Sequence, residues 1–362
     1  MKNKYPLKYV GWQIGITYQT KKREGLDKKY LHNLLKEMKE NGMNFISFMM
    51  NSDGFHDPLH DGYAWPVRNP KLKCYLDRNC INANYPTEFL KEIIEEASEM
   101  EFYINLFMNG FYWNPEKVRI SYPDIQPIIP YHEGIFHHCS DNSSAWRLTY
   151  DEIKDLLDYY SSPAVKSYGF ETIGRGGCRC PDTRKSFTED LERAGIKKSS
   201  DIKKQKELFT LWDSKRYVEV MGNLVKYIKK IRPNIEVWHM GYYKFEGVRI
   251  PEIYRKVGVD VVFPIIHRVM DEIWLREILE SSEDFPLILH VDTRDSSTKN
   301  YKIPLKTPEY ILNMGKWIEK NNRKNLMGVM FFNEVSTSKE NKHAVYAVLR
   351  KWRKNGLLEW TW

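Results

Sequence analysis

A single (β/α)8 barrel spanning residues 1–362 is the fold class that this sequence predicts, with long loops after its second, third and fourth strands. Three observations carry the prediction. Eight times along the chain, a short apolar run is followed by a helix-like segment, and such alternation implies a parallel sheet. Eight units in 362 residues match a closed barrel that carries insertions. The apolar runs end in polar residues, at the strand ends where barrels build their active sites.

The strand runs are Tyr9–Tyr18, Asn44–Asn51, Phe102–Gly110, Val165–Ile173, Ile235–Tyr242, Val259–His267, Pro286–Asp292 and Leu326–Val335. Between the first two, Leu31, Leu34, Leu35 and Met38 share one face of a helix from about Asp27 to Asn41, and Gly42 stops it. A second helix is expected from near Pro86, a favoured first helical position, through Phe89, Ile93, Ile94 and Ala97. Thr149 with Glu152 three residues on makes a capping box for the third, which ends at Ser161-Ser162-Pro163. The fourth is long, Leu208–Ile231, with Val218, Met221, Val225 and Ile228 as its stripe. Shorter segments at Ile250–Val257 and Asp271–Ser281 follow, then a helix opening at Thr307-Pro308-Glu309 and one carrying Ala344, Val345, Val348, Leu349 and Trp352. Three connections, Ser52–Tyr85, Phe111–Arg147 and Gly174–Lys204, exceed bare barrel turns. Connections of that length are usually lids or binding loops.

Composition excludes several classes. Hydrophobic residues at 42% and charged residues at 29% are the balance of an ordinary globular protein. The net charge of +8 is spread over helices, as at Lys36, Lys39, Lys226, Lys229 and Lys230, and forms no basic stripe, so no nucleic-acid partner is expected. No apolar run is long enough for a membrane span, and Met1–Lys8 is not followed by the apolar stretch of a signal peptide. Five cysteines, an odd number, argue against a disulfide framework and for a cytoplasmic setting.

Side chains i and i+2 of a strand share a face. That spacing gathers Gln13, Thr17 and Gln19 from the first strand, Ser47, Asn51 and Asp53 from the second, and Asn105 and Asn109 from the third. Later strands add Glu171, His239, His267, His290 with Asp292, and either Asn333 or Glu334. Any one of these is equally well read as a satisfied buried polar group; together they read as an active-site floor. Glu171 and Asp292 end the fourth and seventh strands, which face each other across an eight-stranded barrel. Glycosidic cleavage needs such a pair, one carboxyl to protonate the leaving oxygen and one to attack or activate water. Glu334 and Asp53 are further candidates, Arg294 a partner for Asp292, and Trp113 and Tyr242, with Tyr18, Trp65, Tyr112, Trp238 and Tyr243, are candidates for stacking on sugars.

Cys139 precedes the third helix, and Cys178-Arg179-Cys180-Pro181-Asp182-Thr183 with Phe187 follows the fourth strand. This pattern resembles the C-x-C-x-x-C-x-x-x-F segment of the zinc-cluster β-galactosidases and related hypothetical barrel glycosidases, over roughly Cys139 to Met240. The resemblance implies an acid/base at Glu171, a nucleophile on the seventh strand and net retention. Phe170 stands where those proteins carry Asn, Asp292 where they carry Glu, and Thr183 where they carry the last Cys of the run. Cys139, Cys178 and Cys180 become candidate ligands of one structural zinc, with His137, His138 or Asp182 nearby as a fourth; the alternative is a degenerate cluster that binds no metal. No cofactor is expected for catalysis, and the expected partner is an oligosaccharide or glycoside. A non-catalytic carbohydrate-binding barrel stays open. A metal-dependent amidohydrolase is disfavoured, because the first strand has no His-x-His pair. A phosphate-binding barrel lacks its Gly-rich turn after the seventh or eighth strand.

Overall fold

The computed structural model describes residues 5–16, 26–53, 61–109, 113, 115–125, 138–171, 178–197, 200–240, 250–266, 272–294 and 305–358. Its centre is a closed parallel barrel of β1 (Tyr9–Gly15), β2 (Phe45–Met49), β5 (Tyr103–Met108), β6 (Val165–Phe170), β7 (Glu236–Met240), β8 (Val261–Phe263) with β9 (Ile265–Ile266), β10 (Leu287–Asp292) and β11 (Leu326–Phe332). β11 pairs with both β10 and β1, which closes the ring. Pro264 divides β8 from β9, since proline has no N–H for the ladder; its carbonyl still accepts from His290 N. All eight predicted strands are present. β3 (Asn51–Asp53) and β4 (Asp61–Tyr63) form an additional antiparallel hairpin in the connection after β2.

Around the barrel lie α1 (Lys28–Glu40), α2 (Leu90–Glu99), α3 (Pro115–Val118), α4 (Ser143–Tyr159), α5 (Pro181–Arg193), α6 (Ile202–Ile231), α7 (Ile250–Val257), α8 (Glu272–Ser281), α9 (Pro308–Asn321) and α10 (Lys339–Lys354). None of the described helices is long and apolar enough to cross a membrane. α1 follows its predicted stripe, with Asp27 as N-cap and Gly42 just beyond its end at φ +78°, a conformation suited to glycine. Two helix starts differ from the sequence expectation. α2 begins at Leu90, where Asn82 Oδ1 accepts from Phe89 N and Leu90 N and caps the first turn. α4 begins at Ser143 with Asn142 as cap; Thr149 instead bonds the Ala145 carbonyl one turn back, and Glu152 turns to the loops. The connection after β6, expected as a loop, contains α5, whose first turn is capped by Cys180 Sγ.

Strand alternation fills the lumen in tiers. At the N-terminal end Tyr9, Phe45, Tyr103 and Trp238 pack ring on ring, Trp238 stacking on Phe45 at 5.3 Å and on Tyr103 at 5.4 Å. Above them Ser47 Oγ donates to Asn105 Oδ1 at 2.7 Å, and Asn105 Nδ2 to Ser167 Oγ at 2.8 Å. Gly11 lies level with this tier; a Cβ there would fall 1.6 Å from the Phe45 carbonyl oxygen. The other strand face, for example Val10, Trp12 and Ile14, packs into the helix layer. With the bottom filled, the open polar positions are those at the C-terminal mouth.

Candidate active site

The mouth is built by residues that continue the inward alternation. Gln13 on β1 and His290 on β10 are fully buried and meet across the lumen, His290 Nε2 lying 3.1 Å from Gln13 Oε1. Gln13 Nε2 has no hydrogen-bond partner among the described residues. Asn51 clamps the end of β5: its Oδ1 accepts from Asn109 N at 2.8 Å and its Nδ2 donates to Asn109 O at 3.1 Å. Asn109 is itself buried, and its Oδ1 has no partner among the described residues. A buried amide atom without a partner costs free energy comparable to a lost hydrogen bond, so two of them at one barrel end mark places a polar ligand can satisfy.

Asp292, at the end of β10, is fully buried. Arg294 holds it with a two-toothed grip, Nε to Oδ1 at 2.9 Å and a terminal nitrogen to Oδ2 at 2.8 Å, and Arg294 N adds a third bond to Oδ1. The guanidinium lies 4.5 Å over the Phe332 ring, which keeps it flat and oriented. Lys306 N bonds the Arg294 carbonyl, and burial lowers the Lys306 amine, with the Asp292 carboxylate opposing that shift and Arg294 adding to it. Lys306 and Tyr310, which both feel the Asp292 charge, escape a reading of strand ends alone. Their signal is the Thr307-Pro308 helix start, which returns the chain to the mouth. Glu171 follows β6 with Ser167 and Gly169 on its face; its N–H bonds the Met108 carbonyl and its side chain is half-buried.

Several expected site residues lie elsewhere. Glu334 is fully buried in the barrel wall, where Tyr30 of α1 donates to both carboxylate oxygens and Lys342 of α10 forms an ion pair with it. The chain turns after Phe332, so the Glu334 carboxylate meets α1 and α10 rather than the inward-facing strand ends. Asn333 takes the strand-end position and joins β1 to β11, its Oδ1 accepting from Gly15 N at 3.5 Å and Val335 N at 3.3 Å. His239 faces outward, because Trp238 occupies the inward position. Its ring contacts the hydroxyls of Tyr217 at 3.3 Å and Tyr254 at 3.4 Å. Burial pushes its pKa down to about 3, and a hydrogen bond to the Glu171 backbone opposes that. His239 thus sits behind the end of β6, on the helix side of the barrel wall. Trp113 is buried, donating Nε1 to Glu152 Oε2 at 2.9 Å beside the Tyr63 hydroxyl. Trp65 is buried and bonded to Asp155. With Trp238 in the bottom tier, none of these three presents a face for a sugar. Asp53 ends strand β3 opposite Asp61. Tyr242 and His267, with Tyr18, Tyr112 and Tyr243, lie outside the described residues.

Cys139, Cys178 and Cys180 converge, with their sulfurs all within 4.8 Å of one another. Cys178 Sγ is 3.9 Å from Cys139 Sγ, and about 3.8 Å is the edge that tetrahedral Zn–S bonds of ~2.3 Å require. Sharing of S–H hydrogen bonds holds the Cys180 thiol well down and pushes the Cys139 thiol well up. The three can hold a metal ion. Among the described residues no His, Asp or Glu joins them: His138 Nε2 bonds the Trp113 carbonyl and Asp182 accepts from Asn142, while His137 lies outside the described residues. The group that does enter is Thr183, whose Oγ1 lies 3.1 Å from Cys139 Sγ and 3.5 Å from Cys180 Sγ. Cys74 and Cys80 are separate free thiols.

No family model matches the chain, and no curated protein matches it. Solved structures do match. The β-galactosidase of the Antarctic haloarchaeon Halorubrum lacusprofundi aligns with a TM-score of 0.68 at 13% identity, over 95% of this chain and 58% of that one. A GH42 β-galactosidase from G. stearothermophilus gives 0.66 at 12%, over 97% and 57%. The glycoside hydrolase domain of PgaB (BpsB) from Bordetella bronchiseptica gives 0.64 at 10%, over 98% and 100%. At such identities the likeness is one of fold: the chain resembles barrel glycoside hydrolases, and it spans less than two thirds of the two β-galactosidases.

Proposed function

We propose that this chain is a glycoside hydrolase acting on an O-glycosidic bond through Glu171 and Asp292. The observation that carries the reading is the chemistry of the inward-facing strand ends: one half-buried carboxyl, one buried carboxylate gripped by an arginine, and amides with unused hydrogen-bonding capacity. Glu171, the more exposed, protonates the leaving oxygen. Asp292 attacks the anomeric carbon or activates water, and the three hydrogen bonds from Arg294 hold the carboxylate ionised for that role. Gln13 Nε2 and Asn109 Oδ1 take sugar hydroxyls. The carboxyl separation sets the stereochemistry, retention at about 5–5.5 Å and inversion at roughly 6.5–9.5 Å. The three thiols hold a structural zinc that ties the connection after β5 to that after β6, and no metal takes part in the reaction.

The Arg294 grip on Asp292 also favours a second reading, a carbohydrate-binding barrel without turnover. A panel of nitrophenyl glycosides separates the two, beginning with β-galactosides because the similar structures include enzymes so named. Under the first reading the wild type turns over at least one substrate. Glu171→Gln then lowers turnover by roughly 10²–10⁴, the usual worth of general acid catalysis. Asp292→Asn is comparably damaging and Glu334→Gln far less so. Full activity in folded Glu171→Gln removes Glu171 as the acid. Glycoside binding by calorimetry without hydrolysis of any panel member supports the second reading.

A further inference from the structure

α5 and α6 pack on each other through a small core of their own, Phe187, Leu191, Phe209 and Trp212, separate from the barrel core. Near their N-termini they enclose a cleft of about 580 Å³. Its rim carries Arg179, Arg184 and Lys206, its floor includes Phe187 and Phe209, and no carboxylate lines it among the described residues. All three cations are exposed. None has an ion-pair partner among the described residues, although other cations of the same two helices do: Lys185 with Glu189, Arg193 with Asp190, and Arg216 with Asp141. The nearby acids are engaged otherwise. Asp190 also accepts from Trp212, Asp182 accepts from Asn142, and Asp201 caps α6 through Lys203 N and Lys204 N. The Arg179 guanidinium lies 3.9 Å over the Phe209 ring. Stacking there fixes the plane of the group and leaves its N–H edges directed outward.

We propose that this cleft binds a phosphate dianion, free or as the monoester of a small polar molecule such as a sugar. Two planar guanidiniums and one ammonium supply charge-assisted donors for three phosphate oxygens, and the two phenyl rings give the remainder of an ester an apolar wall. Arg179 stands between Cys178 and Cys180, and Arg184 follows Thr183, so the backbone of the thiol cluster sets the positions of two of the three cations. The proposal does not depend on the chemistry of the barrel mouth.

Titration calorimetry of the full chain at fixed ionic strength tests it, with inorganic phosphate, glucose 6-phosphate, glucose and sodium chloride as probes. The expected result is saturable binding of both phosphates and of neither control, weakened about tenfold or more in Arg184→Ala/Lys206→Ala, as loss of charged hydrogen bonds implies. Glucose 6-phosphate binding more tightly than inorganic phosphate assigns the rings to the ester; equal affinity assigns the cleft to the free ion. Lys215→Ala/Lys226→Ala, on another face of α6, controls for net charge and is expected to bind as wild type does. Equal weakening in both double variants, or no weakening in the first, overturns the proposal. Circular dichroism spectra that match the wild type establish that the exposed substitutions leave the fold intact.

Discussion

Replacing Lys342 by Met tests the assignment of Glu334 to the barrel wall. Glu334 is fully buried and the Lys342 side chain is 9% exposed. Deleting the ammonium leaves the carboxylate among Tyr30 and the wall without the Lys342 charge. Breaking one side of a buried pair costs about 3–5 kcal/mol. Unfolding entropy runs near 2.1 cal/mol/K per residue; for 362 residues the cost then lowers the melting midpoint by about 4–7 °C if unfolding is one transition. Removing both charges in Glu334→Leu/Lys342→Met recovers most of the loss, since apolar replacement of a whole buried pair is often neutral or better. Thermal melts of the two single variants and the double variant, read as a cycle, give the coupling. Wild-type melting of Lys342→Met refutes the stabilising role. A Glu334→Gln protein that keeps its midpoint but loses turnover means that Glu334 works on substrate after all.

Two further expectations follow from buried groups. Burial raises Glu152 to about 8 against the lowering bonds from Trp113 and Tyr63, while an unfolded glutamate sits near ~4.3. A carboxyl raised on folding contributes stability that is whole below the unfolded value and lost as pH rises through the folded one. Glu152→Gln therefore melts close to wild type at acidic pH and above it at alkaline pH, and a difference that does not change with pH contradicts this. For the thiol cluster, elemental analysis is expected to find at most one zinc per chain, absent in Cys178→Ser and kept in Cys74→Ser; activity lost to EDTA and restored by a divalent ion makes the metal catalytic instead.

The barrel is legible in the sequence because each strand is short, apolar and followed by a helical stripe. Which face of a strand looks inward is harder to read. Parallel strands are buried on both sides, so the pair Trp238 and His239 carries no periodic signal for which one enters the lumen. The answer lies in the register of β7 against β6, where Phe170 pairs with His239 and Gly169 with Trp238. The place of Glu334 is hidden for a different reason. Its partners Tyr30 and Lys342 are in the first and last helices, adjacent only once the barrel closes. Glu152 looked like a local cap because Thr149 precedes it by three residues, whereas Trp113 and Tyr63, which bond it, come from two other connections. The shared inward face of Gln13, His290 and Asp292 is legible because they alternate with the apolar residues of their strands.

The stacked tier of Tyr9, Phe45, Tyr103 and Trp238 has a kinetic consequence. Among the described residues it stoppers the N-terminal end of the lumen, so any ligand that enters the proposed site at the mouth leaves along the route by which it came. A change that merely narrows or widens that route scales arrival and departure by one common factor. Loop variants of this kind alter how long binding takes to equilibrate and leave the dissociation constant where the floor set it. Variants of the floor do the reverse, changing residence time while arrival stays nearly constant.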